Sequence, residues 1–148
     1  MKLMLMRHGQ AASSDIDPAQ GLTDAGRQAI DNLAERLHLR GVTFGCAYHS
    51  DKTRARQTAE IMCARLAPDA TRLEIEGLRP NDDPAMLLPQ IRSWNEDVLI
   101  VGHLPFLPAL LGKLVFNAGY TEFLPGTVVC LLRVESVNWQ ISWIERPA

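Results

Sequence analysis

The chain has 148 residues, enough for one domain with a proper core, and ordinary shares of apolar and charged residues. Its net charge of −2 gives no support for a nucleic-acid or polybasic membrane role. The cysteines Cys46, Cys63 and Cys130 match neither a zinc pattern nor a disulfide framework; buried thiols at Cys63 and Cys130 and a reducing compartment are expected. With no signal-peptide pattern and no bilayer-spanning apolar run, the expectation is a cytoplasmic protein, monomeric by default.

Leu3 to Met6 is an unbroken apolar run that stops at Arg7-His8-Gly9. Lack of alternation predicts a strand buried on both faces, as in a parallel sheet, with the triplet at its carboxyl end. In open α/β sheets that is where ligands bind. Alone the triplet is a weak signal. Gln10 to Leu22 is polar and predicts a surface loop. Thr23 is a helix N-cap candidate, the spacing of Ala29, Ile30, Leu33, Ala34 and Leu37 predicts a helix, and Gly41 ends it.

Phe44 to His49 predicts a second strand, again ending in polar residues, Ser50, Asp51 and Lys52. A helix from about Thr53 to Leu66 follows. Arg54 and the free N–H groups of that helix start could hold an anion, although Arg54 and Arg56 could equally be solvated helix charges. Arg72 to Ile75 predicts a short strand. Asp83-Pro84 predicts the start of a helix reaching about Trp94. Asp97 to Val101 predicts another strand, ending at Gly102-His103, and Pro105 opens a helix through Leu107, Leu110, Leu111 and Leu114. Thr127 to Val134 and Asn138 to Ile144 predict an antiparallel hairpin turning at Glu135-Ser136. Alternation of Trp139, Ile141 and Trp143 suggests one covered face or a sheet edge.

The expected fold is a three-layer α/β/α sandwich, with a mainly parallel sheet and an antiparallel hairpin at its C-terminal end. In such a sheet three strand-to-helix corners share one edge. They carry Arg7-His8, Ser50 with Arg54, and His103. Two arginines and two histidines without matching carboxylates suit a dianionic phosphoryl group, with one histidine able to attack phosphorus in line. Metal binding fits poorly, because the arginines would repel a cation.

The chain resembles the histidine phosphatase superfamily, which has a phosphoglycerate mutase-like fold. Arg7-His8-Gly9 matches its first motif, Leu22-Thr23-Asp24-Ala25-Gly26 its entry to the first helix, and SDKTRARQT from Ser50 to Thr58 its Ser-x-x-x-Arg-Ala-x-Gln-Thr motif. Gly102-His103-Leu104-Pro105 matches its Gly-His-x-Pro motif. The short length and Val98 to Leu114 look most like the SixA-type phosphohistidine phosphatases. The resemblance implies one histidine phosphatase domain over residues 1–148. It implies His8 as the nucleophile that becomes phosphorylated. Arg7, Arg54 and His103 would bind the phosphoryl group, as would Gly9 and Ser50 at the same corners. It implies no metal and no organic cofactor.

SixA-type chains often read Glu-Leu-Thr-Pro where this one reads Gly77-Leu78-Arg79-Pro80. Glu76, Asp82 and Asp83 are the nearby carboxylates, and which of them could act as general acid is left open. An imidazole, once protonated, leaves far more readily than an alkoxide, so a site without a dedicated acid can still cleave P–N bonds. The expected substrate is therefore a phosphohistidine-bearing protein of the histidine-containing phosphotransfer type. Small phosphate monoesters are the alternative substrate. A phosphoprotein-binding module with negligible turnover is the non-enzymatic alternative.

Overall fold

Leu3 and Leu5 point to one side of the first strand, Met4 and Met6 to the other, and all four are buried. That strand, β1 (Lys2–Arg7), is covered on both faces, as its unbroken apolar run requires. In this computed structural model, which describes residues 1–135 and 137–148, the elements after β1 follow in order. They are α1 (Asp24–Leu39), β2 (Cys46–His49), α2 (Thr53–Leu66), β3 (Thr71–Glu74), α3 (Leu88–Ser93), β4 (Val98–Gly102), α4 (Phe106–Leu114), β5 (Val128–Glu135) and β6 (Asn138–Glu145). Ser136, one of the two residues of the expected hairpin turn, lies outside the described residues.

Among the described residues the sheet has six strands in the order β3-β2-β4-β1-β5-β6. β3, β2, β4 and β1 are parallel, while β5 runs antiparallel to β1 and β6 antiparallel to β5. Ile30, Leu33 and Leu37 of α1 and Ala55, Ala59 and Met62 of α2 bury one face with Met4 and Met6. Leu87, Ile91 of α3, and Phe106, Leu107 and Leu110 of α4 bury the other with Leu3 and Leu5. The result is the expected three-layer sandwich. No helix among the described residues is long and apolar enough to cross a membrane.

Three local expectations change. The helix expected from Pro84 begins as a 3-10 turn over Pro84–Leu87, and α3 proper covers only Leu88–Ser93. Pro89 has no N–H to donate to Ala85 O, which instead takes the tighter bond from Leu88 N. Cys63 is half-buried, whereas Cys46 and Cys130 are fully buried. β6 is indeed an edge, but its alternation does not cover one face. Cys130 pairs with Trp143 and Leu131 with Ile141, so Ser142 is an extra residue in a bulge. The bulge turns Trp143 onto the α1/α2 side, while Trp139 and Ile141 pack on the α3/α4 side.

Candidate active site

The carboxyl ends of β1, β2 and β4 bring Arg7-His8, Ser50 and His103 to one edge of the sheet, and the first turn of α2 adds Arg54. β1 and β4 are direct neighbours, with Arg7 opposite Gly102, so His8 and His103 leave adjacent strand ends. Their ring centroids stand 5.1 Å apart at an interplanar angle of 52°. Arg54 Nε donates to His8 Nε2 at 3.4 Å.

His8 is held by its own corner. Its Nδ1 lies 2.7 Å from the Gly9 carbonyl oxygen. A carbonyl only accepts, so Nδ1 carries the proton of the neutral ring and Nε2 keeps its lone pair toward Arg54. Burial pushes the His8 pKa down to about 4, against the pull of the Gly9 hydrogen bond, and the fields of Arg54 and Arg7 add to the shift. The ring is neutral at neutral pH. His103 is 1 % exposed, and burial, then the neighbouring His8 and Arg54, push its pKa down to about 3.

Gly9 reaches the site through its carbonyl and not through its amide. Its N–H donates to Thr58 Oγ1 at 3.0 Å, and that hydroxyl in turn donates to Arg54 O at 2.8 Å. Thr58 therefore ties the β1 corner to the α2 corner. Its position, one helical turn after Arg54 in the same motif, was the available signal. The loop after β1 is fixed to α1 in a similar way. Thr23 Oγ1 caps the helix by accepting from Gly26 N at 2.9 Å. A Cβ on Gly26 would stand 2.2 Å from the Gln10 carbonyl oxygen, so only glycine lets the loop lie this close.

Ser50 is 1 % exposed and its Oγ lies 2.6 Å from His103 Nε2. Lys52 N also donates to this Oγ, at 3.2 Å. If the hydroxyl donates to Nε2, His103 carries its proton on Nδ1, and that N–H is the one group left without a partner. The opposite arrangement strands both the hydroxyl proton and the Nδ1 lone pair, so the first is favoured. Arg7 Nη1 donates to the Phe123 carbonyl at 2.9 Å, and its Nε is buried without a partner. Burial lowers the pKa of both Arg7 and Arg54 from the ordinary arginine value. The site thus gathers two guanidinium groups, one imidazole lone pair and two buried N–H groups without a partner, Arg7 Nε and His103 Nδ1. That set suits an anion with several oxygens and an atom open to attack.

Asp51, next in sequence to Ser50, acts on His103 through its charge and opposes the downward shift. Asp51, Glu76, Asp82 and Asp83 line a cleft of about 420 Å³. Asp82 Oδ2 accepts from Arg79 N at 2.9 Å and Asp83 Oδ1 caps Ala85 N at 3.0 Å. Arg79 Nη2 donates to Asp51 Oδ2 at 2.6 Å and holds that carboxyl below its usual range. Glu76 is exposed. Among the described residues, no group of three or more His, Cys, Asp or Glu side chains comes together as a metal site would need.

A profile of the histidine phosphatase superfamily (branch 1) matches residues 3–79, the span that contains the first three motifs. The chain belongs to the histidine phosphatase superfamily. An uncharacterised Picosynechococcus protein is 34% identical over 115 residues, covering 72% of this chain and 68% of the relative. The mitochondrial serine/threonine-protein phosphatase Pgam5 of Drosophila grimshawi is 28% identical over 96 residues, 64% of this chain. The match spans 33% of Pgam5, about a third of that protein's length. The fold matches that of a protein histidine phosphatase SixA solved with tungstate, with a TM-score of 0.90 at 24% identity, covering 99% of this chain and 97% of that one.

The two depressed histidines carry a consequence for stability. Each binds a proton in the unfolded chain near pH 6.5 but in the folded chain only near pH 4 or 3. Between those values the unfolded state holds more protons, so stability falls as the pH drops below about 6.5 and the loss is complete only below the folded values. His103→Gln should therefore lose less stability than the parent between pH 7 and pH 4. Urea midpoints at the two pH values check this, and an equal loss in both proteins would mean that His103 is not depressed.

Proposed function

We propose that the protein is a phosphohistidine phosphatase, one histidine phosphatase domain over residues 1–148 acting on a phosphorylated protein through a covalent intermediate on His8. The observation that supports it is the neutral His8 ring, with its proton spent on Gly9 O and its Nε2 lone pair beside Arg54 Nε. Arg7 and Arg54 would hold the equatorial phosphoryl oxygens, and the unpaired His103 Nδ1–H would donate to another. His8 Nε2 attacks phosphorus. The P–N bond of the substrate breaks, its electron pair returns to the substrate imidazole, and that nitrogen takes a proton from solvent. Water then attacks phosphorus on His8, releasing phosphate and restoring the neutral ring.

The carboxylates favour a histidine leaving group over an alcohol. Asp82 and Asp83 are engaged as acceptors of backbone N–H groups and Arg79 favours the ionised form of Asp51, which leaves the exposed Glu76 as the remaining candidate acid. An alkoxide needs such a donor and an imidazole does not. Glu76→Gln, Asp82→Asn and Asp83→Asn combined keep the acceptor oxygens and remove the acids. Steady-state turnover of a phosphohistidine protein should change by less than about threefold, and alkyl phosphates should be slow before and after. Fast alkyl phosphate hydrolysis that falls ~10²-fold in the variant would make this a small-molecule phosphatase with a carboxylic general acid.

A further inference from the structure

His49 is 2 % exposed and has no part in the chemistry above. Its Nδ1 lies 2.8 Å from the Ser50 carbonyl oxygen and its Nε2 lies 3.1 Å from Arg72 Nη1. A carbonyl only accepts and a guanidinium only donates. Both contacts hold together in a single state of the ring, neutral with the proton on Nδ1 and the lone pair on Nε2. Arg72 thus fixes the tautomer from β3, the edge strand, and the ring passes that choice to the main chain of Ser50. The Ser50 hydroxyl is already taken up by Lys52 N on one side and His103 Nε2 on the other. Four groups on β3, β2 and the β4 corner therefore form one line of hydrogen bonds: Arg72, His49, Ser50 and His103.

We propose that His49, held by Arg72, is a positioning residue that fixes Ser50 so that its hydroxyl keeps His103 in the tautomer with the proton on Nδ1. This rests on the reading of His103 as a phosphoryl-binding group. Without the clamp, the Ser50 corner can turn, its hydroxyl leaves Nε2, and the His103 proton is free to occupy either nitrogen. The donor toward the phosphoryl group is then present only part of the time, which lowers turnover more than binding.

The test is imidazole ¹⁵N NMR of His103 at pH 7, where its depressed pKa keeps it neutral, alongside kinetics on p-nitrophenyl phosphate. The parent should show one protonated Nδ1 and one bare Nε2. In His49→Ala and Arg72→Met the two signals should move toward each other, and kcat should fall ~10-fold with KM within twofold. His49→Asn, whose amide can still donate to the Ser50 carbonyl, should restore the parent signals. Arg72 is exposed on an edge strand, so Arg72→Met and His49→Asn decide the matter even if His49→Ala does not fold. Unchanged His103 signals in folded Arg72→Met would overturn the proposal. The NMR arm needs no turnover, so a protein inactive on every phosphorylated substrate would sink the phosphatase reading and still leave this clamp to be judged on its own signals.

Discussion

His8→Asn is expected to lose ~10⁴-fold or more of its turnover, the scale seen when a catalytic nucleophile is removed. Asparagine is the informative replacement. Its amide can keep the donation to the Gly9 carbonyl that Nδ1 makes, so the corner between β1 and the following loop should stay closed. What it lacks is an atom at the place of Nε2. Arg7, Arg54 and His103 remain, so affinity for inorganic phosphate should change by only a few-fold. A site that binds phosphate but does not turn over separates loss of the nucleophile from loss of the pocket. Activity within tenfold of the parent would mean that another group attacks phosphorus.

The second large effect concerns the two arginines at the start of α2. Arg54→Ala should cost roughly 3 kcal/mol of transition-state stabilisation, or ~10²-fold in kcat/KM, because a part-buried charge-assisted contact strengthens as the phosphoryl group moves. Arg56 is two residues further on, ~200° around the helix. It is exposed and pairs with Glu60, an interaction of ~1 kcal/mol or less on a surface. Arg56→Ala should leave kcat/KM within twofold of the parent. Kinetics of the two variants on one substrate settle the contrast, and similar losses for both would place the phosphoryl group elsewhere.

Much of this arrangement was legible in the sequence because β1, β2 and β4, the strands that end at the site, are largely buried. A strand covered by helices on both sides has nowhere to put a charge, so its apolar run stops sharply where the chain leaves the sheet. Arg7, Ser50 and His103 mark those stops, and parallel order brings them to the same edge. What stayed hidden depends on pairings between distant segments. Nothing local says that Arg7 reaches the Phe123 carbonyl, or that Arg72 on the edge strand grips His49. The bulge at Ser142 was likewise invisible, because alternation in a sequence cannot show where a partner strand slips by one residue. Pro89 is the opposite case: its missing N–H was in plain view and should have shortened the helix expected from Pro84.

The most direct test is where the phosphate goes during turnover. Rapid quench of the parent protein with a ³²P-labelled phosphohistidine protein should trap acid-labile, base-stable label, and peptide mapping should place it on His8. Acid-stable label on serine or threonine, label on another histidine, or full turnover with no label on the protein would contradict a covalent route through His8.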